Sequence, residues 1–332
     1  MKEIIYNNRT VLAALLILTG LLSPSCNREA APCDAPGEAI SFGVQGGGTR
    51  ATAWTTSNIS SFGVGAVSGE GEVFFDDQLV EGGNGHWAYA PVKLWPQTGS
   101  MSFSAYAPFG TASNGISAVY DDSGEAFSLS YTLPASPANQ ADILVAPNVT
   151  VADVTSRPSQ VTFTFSHILS LICVKAKYTA DNPPVGTAVA LDELTLGGRL
   201  VASAEYSPSD GWSDQSLMVS DYTYSWDDDD LAVAALSTSY QTVVTDAIGV
   251  YAIPYTSALS VTLYVKYTVS VPGTAPETVE ESGAVSLSLE EGKRYTLQVN
   301  LDVETGIQVG YTVDGLNAWN YPSPQDGPMD VQ

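Results

Sequence analysis

The sequence predicts an all-β protein arranged as two consecutive β-sandwiches after an exported N-terminus. Three observations carry this reading. Short runs of alternating apolar and polar residues recur from residue 38 to residue 313, separated by turn clusters. Several of these runs end at a proline, which cannot donate into a central ladder. Beyond the N-terminal apolar run, no stretch of ten or more residues keeps a helical period. Composition agrees: charged residues make up only 14%, in a chain rich in Ser, Thr, Gly, Tyr and Val, a balance that suits strands. A hydrophobic share of 44% excludes a disordered chain.

Lys2 and Arg9 precede the apolar run Val11 to Leu22. It is too short to span a bilayer, which needs about 20 residues, and fits the core of a secretory signal. Leu22-Ser23-Pro24-Ser25-Cys26 follows and resembles a bacterial lipoprotein box, in which the cysteine thiol takes a lipid and becomes the first mature residue. Residues 1–25 are therefore read as a signal peptide and residues 26–37 as a Pro-rich tether. Lipid on Cys26 is then the membrane anchor. The alternative is a secreted protein with an incidental cysteine.

Residues 38–54, EAISFGVQGGGTRATAW, begin the folded body. Ile40, Phe42 and Val44 fall on one face of a short strand, and Ser41, Gly43 and Gln45 on the other. Gly46, Gly47 and Gly48 form a hinge. Arg50 follows, the only basic residue between Arg28 and Lys93, and the Arg50–Ala51 bond is a place for a protease to cut. Two readings apply: an ordinary first strand with a loop, or a strand built to be removed.

Further strands are expected at residues 60–67, 72–75, 87–90 and 101–107, and at 126–132 and 142–146, the last ending at Pro147. Residues 148–159 break the pattern, which places a domain boundary there, between an N-terminal sandwich at 38–156 and a C-terminal one at 157–332. The second begins with the long stretch Gln160 to Tyr178, in which Val161, Phe163, Phe165, His167, Leu169 and Leu171 share one phase. It continues through 188–196, 199–206, 226–231, 247–253, 259–271, 277–289 and 293–303. The last run is Ile307 to Val313, with Ile307, Val309, Tyr311 and Val313 on one face.

Several function classes are disfavoured. Acids outnumber bases 36 to 12, a net charge of −24, so nucleic acid is not an expected partner. Cys26, Cys33 and Cys173 with His86 and His167 offer no metal spacing, and a Cys33–Cys173 disulfide is disfavoured because Cys33 lies in the tether. His167 reads as a packed histidine. Asp227 to Asp230, with Asp210 and Asp214, lack the alternation of a calcium loop and read as solvated. Trp87, Trp95, Trp212 and Trp226 read as core or edge residues. No nucleophile elbow, phosphate loop or zinc motif is present, so catalytic residues, metals and cofactors are not expected.

Taken in order, several blocks resemble the fimbrillin family, the pilus subunits of Bacteroidales. They are the lipoprotein signal, Thr49-Arg50-Ala51, Phe62-Gly63-Val64, Trp87 and Leu94-Trp95-Pro96. Residues 102–108 (SFSAYAP), 142–146 (DILVA) and 161–169 (VTFTFSHIL) follow, then Ile253-Pro254 and residues 291–296 (EGKRYT). The resemblance implies two transthyretin-like (Greek-key) sandwiches, export to the outer membrane as a lipoprotein, and cleavage after an arginine that follows the first strand. It implies that the vacated groove is filled by a strand of another subunit, of the same or a related fimbrillin, in pili that support adhesion to host or bacterial surfaces. Arg50 and Ala51 match the cleavage position and Ile307 to Val313 the donor. The residues themselves fit: Ile40, Phe42 and Val44 vacate three positions, and Ile307, Val309, Tyr311 and Val313 offer four side chains at the same spacing. Each such burial contributes on the order of 1.5–3 kcal/mol. The alternative is a monomeric surface lipoprotein that binds glycan or a host protein through sandwich loops.

Overall fold

A computed structural model describes residues 37–45, 59–83, 85–120, 127–136, 139–217 and 222–314. Cys26, Cys33, Arg50 and Ala51 lie outside the described residues. In chain order the strands are β1 (Phe42–Gln45), β2 (Ser61–Ser68), β3 (Val73–Gly83), β4 (His86–Ala88), β5 (Met101–Ala107), β6 (Ile116–Tyr120), β7 (Phe127–Thr132) and β8 (Leu144–Val151). Then come β9 (Val161–Thr164), β10 (Ser166–His167), β11 (Ser170–Thr179), β12 (Ala188–Gly198), β13 (Val201–Ser207), β14 (Gly211–Leu217) and β15 (Tyr222–Asp227). The last are β16 (Ala235–Leu236), β17 (Gln241–Val244), β18 (Val250–Ala252), β19 (Tyr255–Ser270), β20 (Glu277–Leu289), β21 (Arg294–Asp302) and β22 (Gly306–Asp314).

The expected all-β class holds. A six-stranded sheet in the order β10-β8-β5-β2-β3-β4 faces the parallel pair β1-β9, and between them lies a core of Ile40, Phe42, Phe62, Phe75, Phe103, Phe163 and their neighbours. A second core is enclosed by a sheet ordered β17-β11-β21-β22, a sheet ordered β15-β12-β19-β20, and the four-stranded sheet β14-β13-β7-β6. Two segments reach across the position between residues 156 and 157. β6 and β7 add to β13 and contribute Ile116, Phe127, Leu129 and Tyr131 to the second core, while β9 gives Val161 and Phe163 to the first. The six-stranded sheet meets β6 closely. A Cβ on Gly65 of β2 would overlap the ring of Tyr120 of β6; within the sheet, a Cβ on Gly63 would overlap the ring of Tyr106 of β5, which donates its hydroxyl proton to Asp77 of β3 at 2.9 Å.

Three local expectations differ from the structure. Pro147 does not end its strand, because β8 runs on to Val151. Ala146 faces Ala105 and Val149 faces Phe103, so Pro147 and Asn148 bulge opposite the single residue Ser104, where no N–H is demanded of the proline. The long stretch from Gln160 is three strands serving three sheets: β9 pairs with β1, β10 with β8, and β11 with β21. Residues 168–174 are all buried as the chain passes from one core to the other, so alternation does not mark the breaks. β6, β14 and β17 are short or half-exposed and lack a strong period-two signal.

Candidate functional site

β1 is short, yet it completes the first core. Ile40 and Phe42 are almost fully buried, and Val44 is half-buried against the same cluster. Phe42 lies among five rings: Tyr89 at 5.3 Å, Phe75 at 5.5 Å, Phe163 at 6.0 Å, Phe103 at 6.2 Å and Phe62 at 6.4 Å between centroids. Most of these pairs are edge-on or tilted, the arrangement the ring quadrupole favours.

The backbone of β1 is held on both sides. On one side it runs parallel to β9, with Phe42 opposite Val161 and Val44 opposite Phe163. On the other, Ile40 N–H donates to Lys93 O at 3.0 Å and Trp95 N–H donates to Glu38 O at 3.0 Å. Side chains of the groove also grip main-chain atoms. Tyr89 Oη donates to Ile40 O at 2.8 Å, and Gln160 Nε2 donates to Phe42 O at 2.6 Å. Ser41 Oγ donates to Ser159 O at 2.7 Å. Arg157 pairs with Glu38 at 3.3 Å. Lys93 is set over the rings of Phe74 and Phe75 and donates to Phe74 O, which fixes the 93–95 segment as a wall of the groove.

β22 is an edge strand, antiparallel to β21, with Ile307 opposite Leu301, Val309 opposite Val299, Tyr311 opposite Leu297 and Val313 opposite Tyr295. Its four apolar side chains share one face but not one environment. Ile307 and Val309 are half-buried against the second core, and Val309 lies over Gly283 of β20, where a Cβ would come within 2.6 Å of Val309 Cγ2. Tyr311 is 42% and Val313 47% exposed. At the end of the strand, Asp314 pairs with Arg294 at 3.6 Å, and Arg294 also meets Asp246 at 3.2 Å.

The other singled-out residues are structural. His167 Nδ1 lies 2.6 Å from Asp142 Oδ2, both largely buried where β10 meets β8; burial raises the Asp142 carboxyl above its ordinary value, with His167 opposing. Cys173 is a buried free thiol that donates to Asp246 at 3.3 Å, and burial pushes its pKa up, away from reactivity. Asp227 to Asp230 are exposed. Trp95 and Trp226 are buried, and the Trp212 indole donates to Ile168 O at 2.7 Å. Among the described residues no group of three or more His, Cys, Asp or Glu could hold a metal.

The chain belongs to the fimbrillin-like family, whose profile matches residues 49–315. No curated protein matches it. Its fold is that of a crystallised fimbrial protein from Bacteroides vulgatus, with a TM-score of 0.66 and 18% identity, over 84% of this chain and 99% of that one. A candidate cell adhesion protein from Bacteroides ovatus aligns over 87% of this chain and 99% of its own, at 15% identity and a TM-score of 0.49.

Proposed function

We propose that this chain is a structural subunit of cell-surface pili. It is exported as a lipoprotein on Cys26 and anchored by that lipid to the outer membrane. It is cut between Arg50 and Ala51 and polymerised by strand exchange with other subunits. β1 is the displaced strand and β22 the donor, and the polymer supports adhesion. The observation that carries the reading is the standing of β1. It fills the centre of an aromatic core through Phe42, but it is the first of the described strands, only four residues long, and among them it pairs only with β9. Such a strand can leave without unthreading another, and its loss opens a groove already equipped with backbone donors and acceptors. Strand addition supplies ladder bonds, and alternate side chains fill the pockets. Membership of the fimbrillin-like family supports the same role.

The test is the N-terminal sequence of surface material. Polymer built from chains that begin at Ala51 is expected, and Arg50→Ala is expected to give folded monomer with β1 still in its groove. Heat-resistant ladders from Arg50→Ala, or polymer whose subunits all retain Cys26, would contradict the proposal.

A further inference from the structure

β1 and β22 each carry a glycine at the same place in an apolar pattern. Gly43 lies three residues after Ile40 and one before Val44; Gly310 lies three after Ile307 and one before Tyr311. Neither has a positive φ. Gly43 has a local reason to be glycine. A Cβ there would overlap the side-chain amide of Gln160, the group that donates to Phe42 O. Gly310 has no such reason in its own sheet: among the described residues, a Cβ at that position would meet nothing within 4 Å. Glycine inside a strand weakens it, so its presence calls for a close approach elsewhere.

We infer that Gln160 is a register key: it favours the β22 of a second copy with Gly310 in the place of Gly43, the register that leaves the Gln160 amide on its carbonyl. This rests on the strand-exchange reading above. In this register Ile307 takes the Ile40 site, Val309 the Phe42 site and Tyr311 the half-open Val44 site. Gln308 brings an amide donor to where Ser41 donates to Ser159 O. Glu304, three residues before Ile307, brings a carboxylate toward Arg157, as Glu38, two before Ile40, does now. The strand runs parallel to β9, as β1 does, and the Gln160 amide bonds to Val309 O.

The register shifted by two residues seats Tyr311 in the Phe42 site. It fills that site better, but sets Thr312 against Gln160, breaks the amide clasp and takes a phenol hydroxyl into the ring cluster. Val309 fills the Phe42 site less completely but keeps the Gln160 amide on the carbonyl at that position.

A competition experiment tests the key. Full-length Arg50→Ala chains keep β1 and can only donate. Equal amounts of two such donors, one with Gly310 and one with Gly310→Ala, distinguished by mass, are offered to wild-type chains already processed by an arginine-specific protease. The Gly310 donor is expected to be favoured in detergent-resistant dimers by roughly three- to ten-fold, the worth of one hydrogen bond. On processed Gln160→Ala chains the ratio is expected to fall to about one. Dimers formed without preference on wild-type acceptors, or a preference that persists on Gln160→Ala, would overturn the register key while leaving strand exchange standing. No donor captured at all would overturn strand exchange, and the key with it.

Discussion

Phe42 carries more of the first core than the length of its strand suggests. Replacing it by Ala removes contacts with five rings at once and leaves a cavity in the core, for a loss of about 3–5 kcal/mol. Urea unfolding of the uncut Phe42→Ala chain measures this; a loss below 1 kcal/mol would mean that β1 is not part of the stable core. His167 makes a different kind of contribution. In His167→Ala the Asp142 carboxyl stays buried without its partner, at a cost of about 3–5 kcal/mol near neutral pH. The sign of the pH dependence follows from the raised folded-state pKa of Asp142. The protonated carboxyl is favoured in the fold, so stability is retained below the ordinary carboxylate pKa and lost as pH rises through the folded value. The deficit of the variant against wild type is therefore expected to shrink from pH 7 to pH 4.5 in urea midpoints, and a deficit that grows in acid would contradict it.

β1 and β22 were legible in the sequence because their signal is local. Ile40-x-Phe42-x-Val44 and Ile307-x-Val309-x-Tyr311-x-Val313 are period-two runs that need no partner to be read. What surrounds them was not legible. Gln160 is 118 residues from Phe42 in sequence, and nothing in its neighbourhood marks it as the clamp on that carbonyl. Asp142 opens an apolar run and His167 falls in phase with another, but a pair that joins β10 to a residue two positions before β8 has no sequence period. The proline rule failed at Pro147, since a bulge relieves the missing donor and a sequence does not announce bulges. In the sequence Gly310 falls on the other face of the run from Ile307, Val309, Tyr311 and Val313. Its meaning appears only when the empty space around it is set beside the crowding at Gly43. The proposed donor role is compatible with how β22 sits at home: Ile307 and Val309 are seated, while Tyr311 and Val313 remain half-exposed. Under that proposal the release of β22 forfeits the partial burial of two side chains against the second core rather than of four.

The charge of the chain bears on how copies meet. Residues 1–50 hold four basic and four acidic residues, so a chain that begins at Ala51 keeps the full net charge of −24. Two such bodies repel at any distance that screening allows. At 10 mM salt the Debye length is about 30 Å and the whole charge of each subunit is felt; at 150 mM it is about 8 Å and only neighbouring groups count. The near neighbours are complementary. Lys93 and Arg157 flank the site of β1, whereas Asp302, Glu304 and Asp314 lie at the two ends of β22, the proposed donor. Screening therefore removes the repulsion before it removes the local attraction. The rate of ladder formation by processed chains is expected to rise on the order of ten-fold between these two salt concentrations. A junction formed by the proposed strand exchange would rest on buried side chains and ladder bonds, so its dissociation in detergent is expected to be indifferent to salt over the same range. Stopped-time gels across a salt series separate the two quantities. An assembly rate that falls between 10 and 150 mM would show that the local pairs outweigh the net charge. A dissociation rate that climbs with salt would show that the junction is held by charge, not by the groove that β1 occupies.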